Sequence, residues 1–174
     1  LKRERLPENN WHLAYAGASM KVAMVTGSYP PQPCGVGDYT ERLVRELRAS
    51  GFEVDVVTTQ AKENRSAVEI KYELTDWKLR TWKNAACWIA GQHYDLIHIQ
   101  YPAKFYGYLA DLAFLTATLR RCIGETPIVV TLHEFRVTHV LRKITAALIA
   151  QYADAVVLTA ESERHLFGRL LWWM

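Results

Sequence analysis

Cysteine is scarce in this sequence, and the three that occur, Cys34, Cys87 and Cys122, stand far apart. There is no Cys-x-x-Cys pair and no cysteine–histidine cluster, so the sequence predicts neither a zinc site nor a disulfide framework. No apolar run reaches the roughly 18 residues that a spanning helix needs. We therefore expect a protein of the reducing cytoplasm that binds no metal.

Charge of one sign is also sparse. The net charge is only +3 over 174 residues, which gives no reason to expect a nucleic-acid partner. Hydrophobic residues make up 50% of the chain and charged residues 22%, values typical of a folded globular protein. The length and composition therefore predict one domain with a core of its own.

The two ends of the chain differ from its middle. Residues 1–19 begin with charged side chains but lack the continuous apolar core of a signal peptide. We interpret them as an extension, native or left over from cloning, with a helix packed on the domain as the alternative. The domain itself is assigned to 20–174. Because 170–174 is an apolar run without a polar tail, we expect a truncation inside a longer protein.

Short β-branched runs alternate along the chain with longer segments of helical period. Strands that are almost entirely apolar and alternate with helices predict an α/β fold in which helices cover both faces of a mostly parallel sheet. Ligands in such folds bind beyond the carboxyl ends of the strands. The predicted strands are 21–26, 53–58, 67–74, 95–100, 127–132 and 155–159, and the predicted helices are 36–50, 76–92, 106–122, 137–152 and a last one from 161.

The loop that follows the first strand carries two glycines, Gly35 and Gly37, at the start of a helix. Glycine lets a backbone approach a ligand, and the free amides and dipole of a helix start favour a phosphate. A purely structural turn is the equally weighted alternative. Eight residues, three of them prolines, separate Thr26 from Gly35, and Thr40 stands where a dinucleotide fingerprint has its third glycine. An NAD site is therefore disfavoured.

Four segments in order resemble one family, glycosyltransferase family 4, whose members have the GT-B fold. The first is MKVAMVTGSYPPQPCGVGDYTERLVRELRASGFEVDVVT, residues 20–58. The others are YDLIHIQYP at 94–102, PIVVTLHEF at 127–135 and ADAVVLTAESE at 153–163. The resemblance covers residues 20–170 and implies a Rossmann-like three-layer sandwich, the amino-terminal half of a GT-B enzyme.

What the resemblance implies about function is transfer of a sugar from a nucleotide-sugar donor to an acceptor hydroxyl, with retention of configuration and without a metal. The donor is a substrate, so no cofactor is expected. Gly35, Val36 and Gly37 would bring amide groups to its diphosphate. The carboxy-terminal domain, absent from this sequence, would hold most of the donor, so we expect the chain alone to be inactive.

His133 is the expected catalytic residue, because it follows a buried strand at its carboxyl end and the family's matching histidine lies near the transferred sugar. A histidine that only caps the strand is the structural alternative. His98 is interpreted as a hydrogen-bonded histidine between the sheet layers, on the same strand face as Gln100. The expected acceptor site consists of Tyr29, Asp38, Gln100, Tyr101, Glu134, Phe135 and Arg136.

Trp77 and Trp88, eleven residues apart on the predicted helix 76–92, are expected to share its outer side. Two tryptophans there could contact a membrane surface or a partner. The favoured alternative is that residues 1–19 or loops cover them. The sequence therefore allows peripheral contact with the inner face of the membrane. An alternative to the enzyme is a non-catalytic half-GT-B module that docks a separate subunit.

Overall fold

The computed structural model describes residues 19–59, 70–102, 106, 110–134 and 139–171. Two of the expected acceptor residues, Phe135 and Arg136, lie outside these ranges. So do most of the amino-terminal extension and residues 172–174. The part of the chain that the structure describes forms one sheet with helices on both faces.

Six parallel strands make up the sheet, as the alternating pattern predicts. The order is β3-β2-β1-β4-β5-β6, so the chain moves outward from β1 in one direction and then returns to continue from β4 in the other. β1 and β5 are largely apolar, as expected of strands in a parallel sheet that helices cover. Their bounds are β1 Lys21–Thr26, β2 Glu53–Thr59, β3 Ile70–Leu74, β4 Leu96–Tyr101, β5 Ile128–Leu132 and β6 Ala155–Leu158.

The helices agree with the predicted periodicity in the middle of each segment and differ at the ends. The predicted helix 106–122 becomes a 3-10 turn, Ala110–Phe114, followed by a shorter α-helix. The predicted helix 76–92 begins three residues later and ends one residue earlier. The bounds are α1 Gly35–Ala49, α2 Leu79–Gly91, α3 Leu115–Ile123, α4 Val140–Gln151 and α5 Glu161–Leu171.

The core is divided by the sheet into two layers, which confirms the three-layer sandwich. On one face, α1 packs Val44 against Val22 and Met24 of β1 and the neighbouring side chains of β2. On the other face, α2 and α3 pack Trp82, Ala86 and Leu119 against the alternate residues of β1 and β4. Period-two alternation along β1 thus sends successive side chains into different layers.

The two tryptophans do not form the outward-facing pair that the sequence analysis describes. Trp77 lies before the first residue of α2, so the helical period does not relate it to Trp88. Its ring is 2% exposed and packs against Trp82 and Tyr106, at centroid distances of 5.5 and 4.4 Å. Trp88 is half-buried and packs on Tyr72 at 4.7 Å. Packing within the domain covers both rings, and no helix among the described residues is long and apolar enough to cross a membrane.

Gly27, directly after β1, lies against the ring of Tyr106. A Cβ atom at this position would come within 2.7 Å of two ring carbons, closer than packed carbon atoms approach one another. Tyr106 is buried and contacts Trp77, so its ring has little room to move away. The close approach of this backbone therefore depends on glycine.

We expect Gly27→Ala to lower the free energy of unfolding by about 1–3 kcal/mol, the usual cost of overpacking a core. Gly91→Ala is the matched control, because a Cβ at Gly91 meets nothing within 4 Å. Urea denaturation followed by tryptophan fluorescence measures both variants. Equal midpoints for the two variants would show that Tyr106 does not restrict Gly27.

Candidate functional site

The two halves of the sheet separate at β1 and β4, where the strand order reverses direction. In parallel sheets this is the place where a crevice opens beyond the carboxyl ends of the strands. The segments that leave the sheet here are the loop after Thr26, the end of β4 at Gln100 and Tyr101, and His133 after β5. These residues come from three different family-like segments and meet at one edge of the sheet.

The loop after β1 is fixed by its own side chains and by β2. The hydroxyl of Thr26 donates to the carbonyl of Ser28 at 2.9 Å, and the hydroxyl of Thr59 donates to the carbonyl of Gly27 at 3.0 Å. The backbone amide of Gln32 donates to the backbone carbonyl of Tyr29 at 3.0 Å and closes a turn. These bonds determine where the chain enters α1.

The N-cap residue of α1 does not cap the helix with its side chain. Cys34 is extended at the N-cap position and makes no capping hydrogen bond with its side chain, and the first helical bond runs from the Asp38 amide to the Cys34 carbonyl at 2.9 Å. By helix geometry, the amides of Gly35, Val36 and Gly37 point out of the helix. They and the dipole of a four-turn helix favour an anion here.

The two glycines of this helix start have different surroundings. Gly37 is buried, and a Cβ there would lie 3.2 Å from the Ser28 carbonyl oxygen, so this glycine lets the helix pack on the loop. Gly35 is exposed, and a Cβ there meets nothing within 4 Å. Turn packing thus accounts for Gly37 but not for Gly35.

A chain of polar side chains crosses β4 and β5 on the face that α1 covers. His133 Nε2 and Gln100 Oε1 are 2.8 Å apart. Gln100 Nε2 lies 3.1 Å from His98 Nε2 and 3.5 Å from Met24 Sδ. His98 Nε2 also lies 2.8 Å from the hydroxyl of Thr131. His98 is therefore a hydrogen-bonded histidine in the layer on this face of the sheet, as expected from the sequence.

The side-chain amide of Gln100 determines which groups in this hydrogen-bonded chain donate and which accept. Its Nε2 group donates towards His98 and towards the weakly accepting sulfur of Met24, so its Oε1 atom is left to accept from His133. His133 then carries its proton on Nε2. In this tautomer the Nδ1 atom of His133 carries a lone pair and acts as an acceptor.

The surroundings of His133 keep the ring neutral. His133 is 7% exposed and meets the ring of Tyr39, the fifth residue of α1, edge to face at 5.0 Å. Burial lowers the pKa of His133, and the nearby carboxylate of Glu163 opposes that shift without cancelling it. The buried Glu163 accepts a hydrogen bond from Thr159 at 3.1 Å and belongs to the first turn of α5.

Glu134 follows His133 with a φ of 51°, in the left-handed region that residues other than glycine seldom adopt. The His133 amide is bonded to the Tyr101 carbonyl at 2.8 Å, so the turn begins directly after the last sheet bond. Local strain of this kind is concentrated at functional sites. The turn leaves the Glu134 side chain exposed.

The other expected site residues differ in their exposure to solvent. Gln100 joins the polar chain, and Asp38 is exposed in the first turn of α1. The rings of Tyr29 and Tyr101 are 1% and 3% exposed, so the structure does not present them to an acceptor. Sequence reasoning missed Tyr39 and Glu163. Both stand within the first five residues of a helix that starts at this edge, and this position is the signal that could have identified them.

The strand order and helix arrangement define a Rossmann-like α/β domain. A family model described as the glycosyl transferase 4-like domain matches residues 34–172. Because this match covers most of the sequence, the chain belongs to that family. No curated protein matches it significantly.

Two solved structures with a similar fold are both glycosyltransferases. One is an alpha-glucosyltransferase with UDP and a 13-mer DNA containing an HMU base; it is 15% identical, with a TM-score of 0.56, over 81% of this chain and 38% of that chain. The other is an alpha-glucosyltransferase with UDP and a 13-mer DNA containing an A:G mismatch, 15% identical with a TM-score of 0.54 over 79% and 37%. At this identity the likeness concerns the fold, and this chain spans less than two-fifths of those proteins.

The partly buried His98 makes stability depend on pH. Burial lowers its pKa from 6.5 to about 4, with proximity to His133 as a smaller cause. Between these values the unfolded chain binds a proton that the folded chain does not, so stability falls as the pH falls. We expect a loss on the order of 3 kcal/mol between pH 6.5 and 4 from this group.

His98→Gln removes the titrating ring. The change in folding stability between pH 6.5 and 4 should therefore be smaller in the variant by the contribution expected from His98. Urea denaturation of both proteins across this pH range provides the measurement. The comparison concerns slopes, so a uniform loss of stability in the variant does not affect it. Parallel curves would contradict the assignment of the pH dependence to His98.

Proposed function

We propose that this domain is the acceptor-side half of a glycosyltransferase that moves a sugar from a nucleotide-sugar to an acceptor hydroxyl. The observation that carries the proposal is the start of α1, where the N-cap residue forms no side-chain cap and Gly35 is exposed, beside the buried His133. Tyr39 connects the two features, because it is the fifth residue of α1 and its ring contacts His133. A diphosphate site and a sugar-binding histidine would thus adjoin.

The donor diphosphate is assigned to the amides of Gly35, Val36 and Gly37. Charge develops on this group as the bond to the sugar breaks, and fixed amide dipoles stabilise it without rearrangement. The UDP in the two similar structures supports a nucleoside diphosphate as the ligand class. Those structures also contain DNA, so the absence of a nucleic-acid substrate stays a prediction for this chain.

His133 is assigned to a hydroxyl of the transferred sugar. A neutral ring with its proton on Nε2 has an acceptor at Nδ1, which suits a sugar hydroxyl better than a phosphate. Gln100 holds the ring in place through Nε2. The accessible Asp38 and Glu134 are assigned to the acceptor, together with Phe135 and Arg136 by resemblance only.

Retention of configuration and independence of metal are part of the proposal and follow from the family resemblance. So is a second, carboxy-terminal α/β domain that supplies cations to the diphosphate and most of the donor contacts. This chain spans 38% of the similar alpha-glucosyltransferase, which agrees with such a division. We accordingly expect weak donor binding and no appreciable transfer from the chain by itself.

Binding of UDP to this chain tests the assignment of the helix start. We expect UDP to shift the amide resonances of residues 35–37, and we expect Gly35→Asp to weaken binding about tenfold or more because it adds a negative charge there. Gly91→Asp, at the far end of α2, adds the same charge at an equally open glycine. Titrations followed by amide spectra give both affinities.

Equal weakening by the two variants would mean that overall charge, not the helix start, determines binding. Shifts confined to other parts of the sheet would contradict the proposed site. Unchanged spectra of the unligated variants outside their own surroundings show that each fold is retained.

A further inference from the structure

Two of the three cysteines meet on the face of the sheet opposite α1. Cys87 of α2 and Cys122 of α3 have their Sγ atoms 3.9 Å apart. Cys87 is exposed and Cys122 is partly buried, so reagents in solvent can reach the pair. This contact is not predictable from the sequence, because 35 positions separate the two residues and neither belongs to a short motif.

The contact follows from the way α2 and α3 pack. Each helix precedes the next strand of the sheet, β4 or β5, so both run in the same direction on one face. Near their starts, the indole Nε1 of Trp82 donates to the Leu115 carbonyl at 3.0 Å. The buried Ala85 and Ala86 are small enough for the helices to approach closely. The two thiols stand near the other ends of this ordered pair.

We propose that Cys87 and Cys122 form a redox-modifiable site, which a low-molecular-weight disulfide such as oxidised glutathione converts to a reversible disulfide between α2 and α3. Bond formation requires the sulfur atoms to close from 3.9 Å to about 2.05 Å. Side-chain rotation and a small shift of two helices that already touch can supply that movement. A third thiol, Cys34, stands at the start of α1 on the other face and takes no part.

The reaction proceeds in two exchanges. The Cys87 thiolate attacks one sulfur of oxidised glutathione, forming a mixed disulfide and releasing one glutathione thiolate. The Cys122 sulfur then attacks the Cys87 sulfur and releases the second. The two protein thiols are oxidised, one glutathione disulfide is reduced to two thiols, and the two protons pass from the protein to the released thiolates.

The environment of the pair determines the order of attack. Burial and the neighbouring Cys87 thiol raise the pKa of Cys122, which reduces its thiolate fraction. The exposed Cys87 is therefore the residue that meets the external disulfide, and Cys122 resolves the intermediate. Cys122 is already in contact, so the second step is intramolecular and benefits from a high effective concentration.

The disulfide would stabilise the domain without contacting the candidate site. Both cysteines lie near the helix ends that lead into the amino ends of β4 and β5, whereas the helix start of α1 and His133 lie at the carboxyl edge. A bridge that closes a loop of this length restricts the unfolded chain. We expect Tm to rise on the order of 5–10 °C on oxidation and to return on reduction.

The test is equilibration of the reduced chain in glutathione buffers, followed by acid quenching, peptide mapping by mass spectrometry and thermal unfolding. A Cys34→Ser background leaves only the pair. We expect one linked peptide containing Cys87 and Cys122, a mass lower by two hydrogens and the higher Tm. Cys87→Ser and Cys122→Ser should give neither the linked peptide nor the oxidation-dependent shift.

Three results would overturn the inference: stable glutathione adducts on Cys87 without a linked peptide, disulfide-bonded dimers, or oxidation that leaves Tm unchanged. The single variants also control for folding, because their reduced forms should unfold at nearly the Tm of the reduced parent. None of these measurements involves UDP or transfer. Failure here is therefore distinct from failure of the proposed function.

Discussion

The buried amide of Gln100 is the constraint on which the candidate site depends. A polar side chain that is fully enclosed must have hydrogen-bond partners or cost several kcal/mol in desolvation. Here His133 lies on one side, and His98 and Met24 lie on the other. These contacts join β1 and β4 to the residue that follows β5. Removing any member would leave a buried polar atom without its partner.

The two faces of the parallel sheet carry different features. The side covered by α1 carries the hydrogen-bonded loop after β1, the start of α1 and the Tyr39–His133 contact. The side covered by α2 and α3 carries the larger apolar core and the cysteine pair. The first arrangement orients groups towards a ligand, and the second supplies the packing that keeps the strands in register. Their separation is why oxidation of the cysteines should leave the candidate site unaffected.

The sequence predicted the features that depend on local periodicity. Apolar runs identified all six strands, and β1 and the start of α5 agree to the residue with the structure. It failed where contacts join distant segments. Trp77 was assigned to a helix face although the helix begins at Leu79, and Tyr106, which covers Trp77, comes from a different crossover. Tyr39 contacts His133, Glu163 lies near enough to affect the pKa of His133, and Cys87 meets Cys122, only because crossovers align these elements. The burial of Tyr29 likewise follows from the turn that the loop makes, which residue type alone does not reveal.

The tautomer of His133 is the most direct test of this account. Long-range proton–nitrogen correlation spectra of the isotope-labelled chain at neutral pH distinguish a proton on Nε2 from one on Nδ1 and reveal a charged ring. We expect a neutral His133 with its proton on Nε2, and a neutral His98 that accepts at Nε2. A proton on Nδ1 of neutral His133, or an imidazolium ring, would reverse the direction of the hydrogen-bond chain and contradict the assigned role of His133.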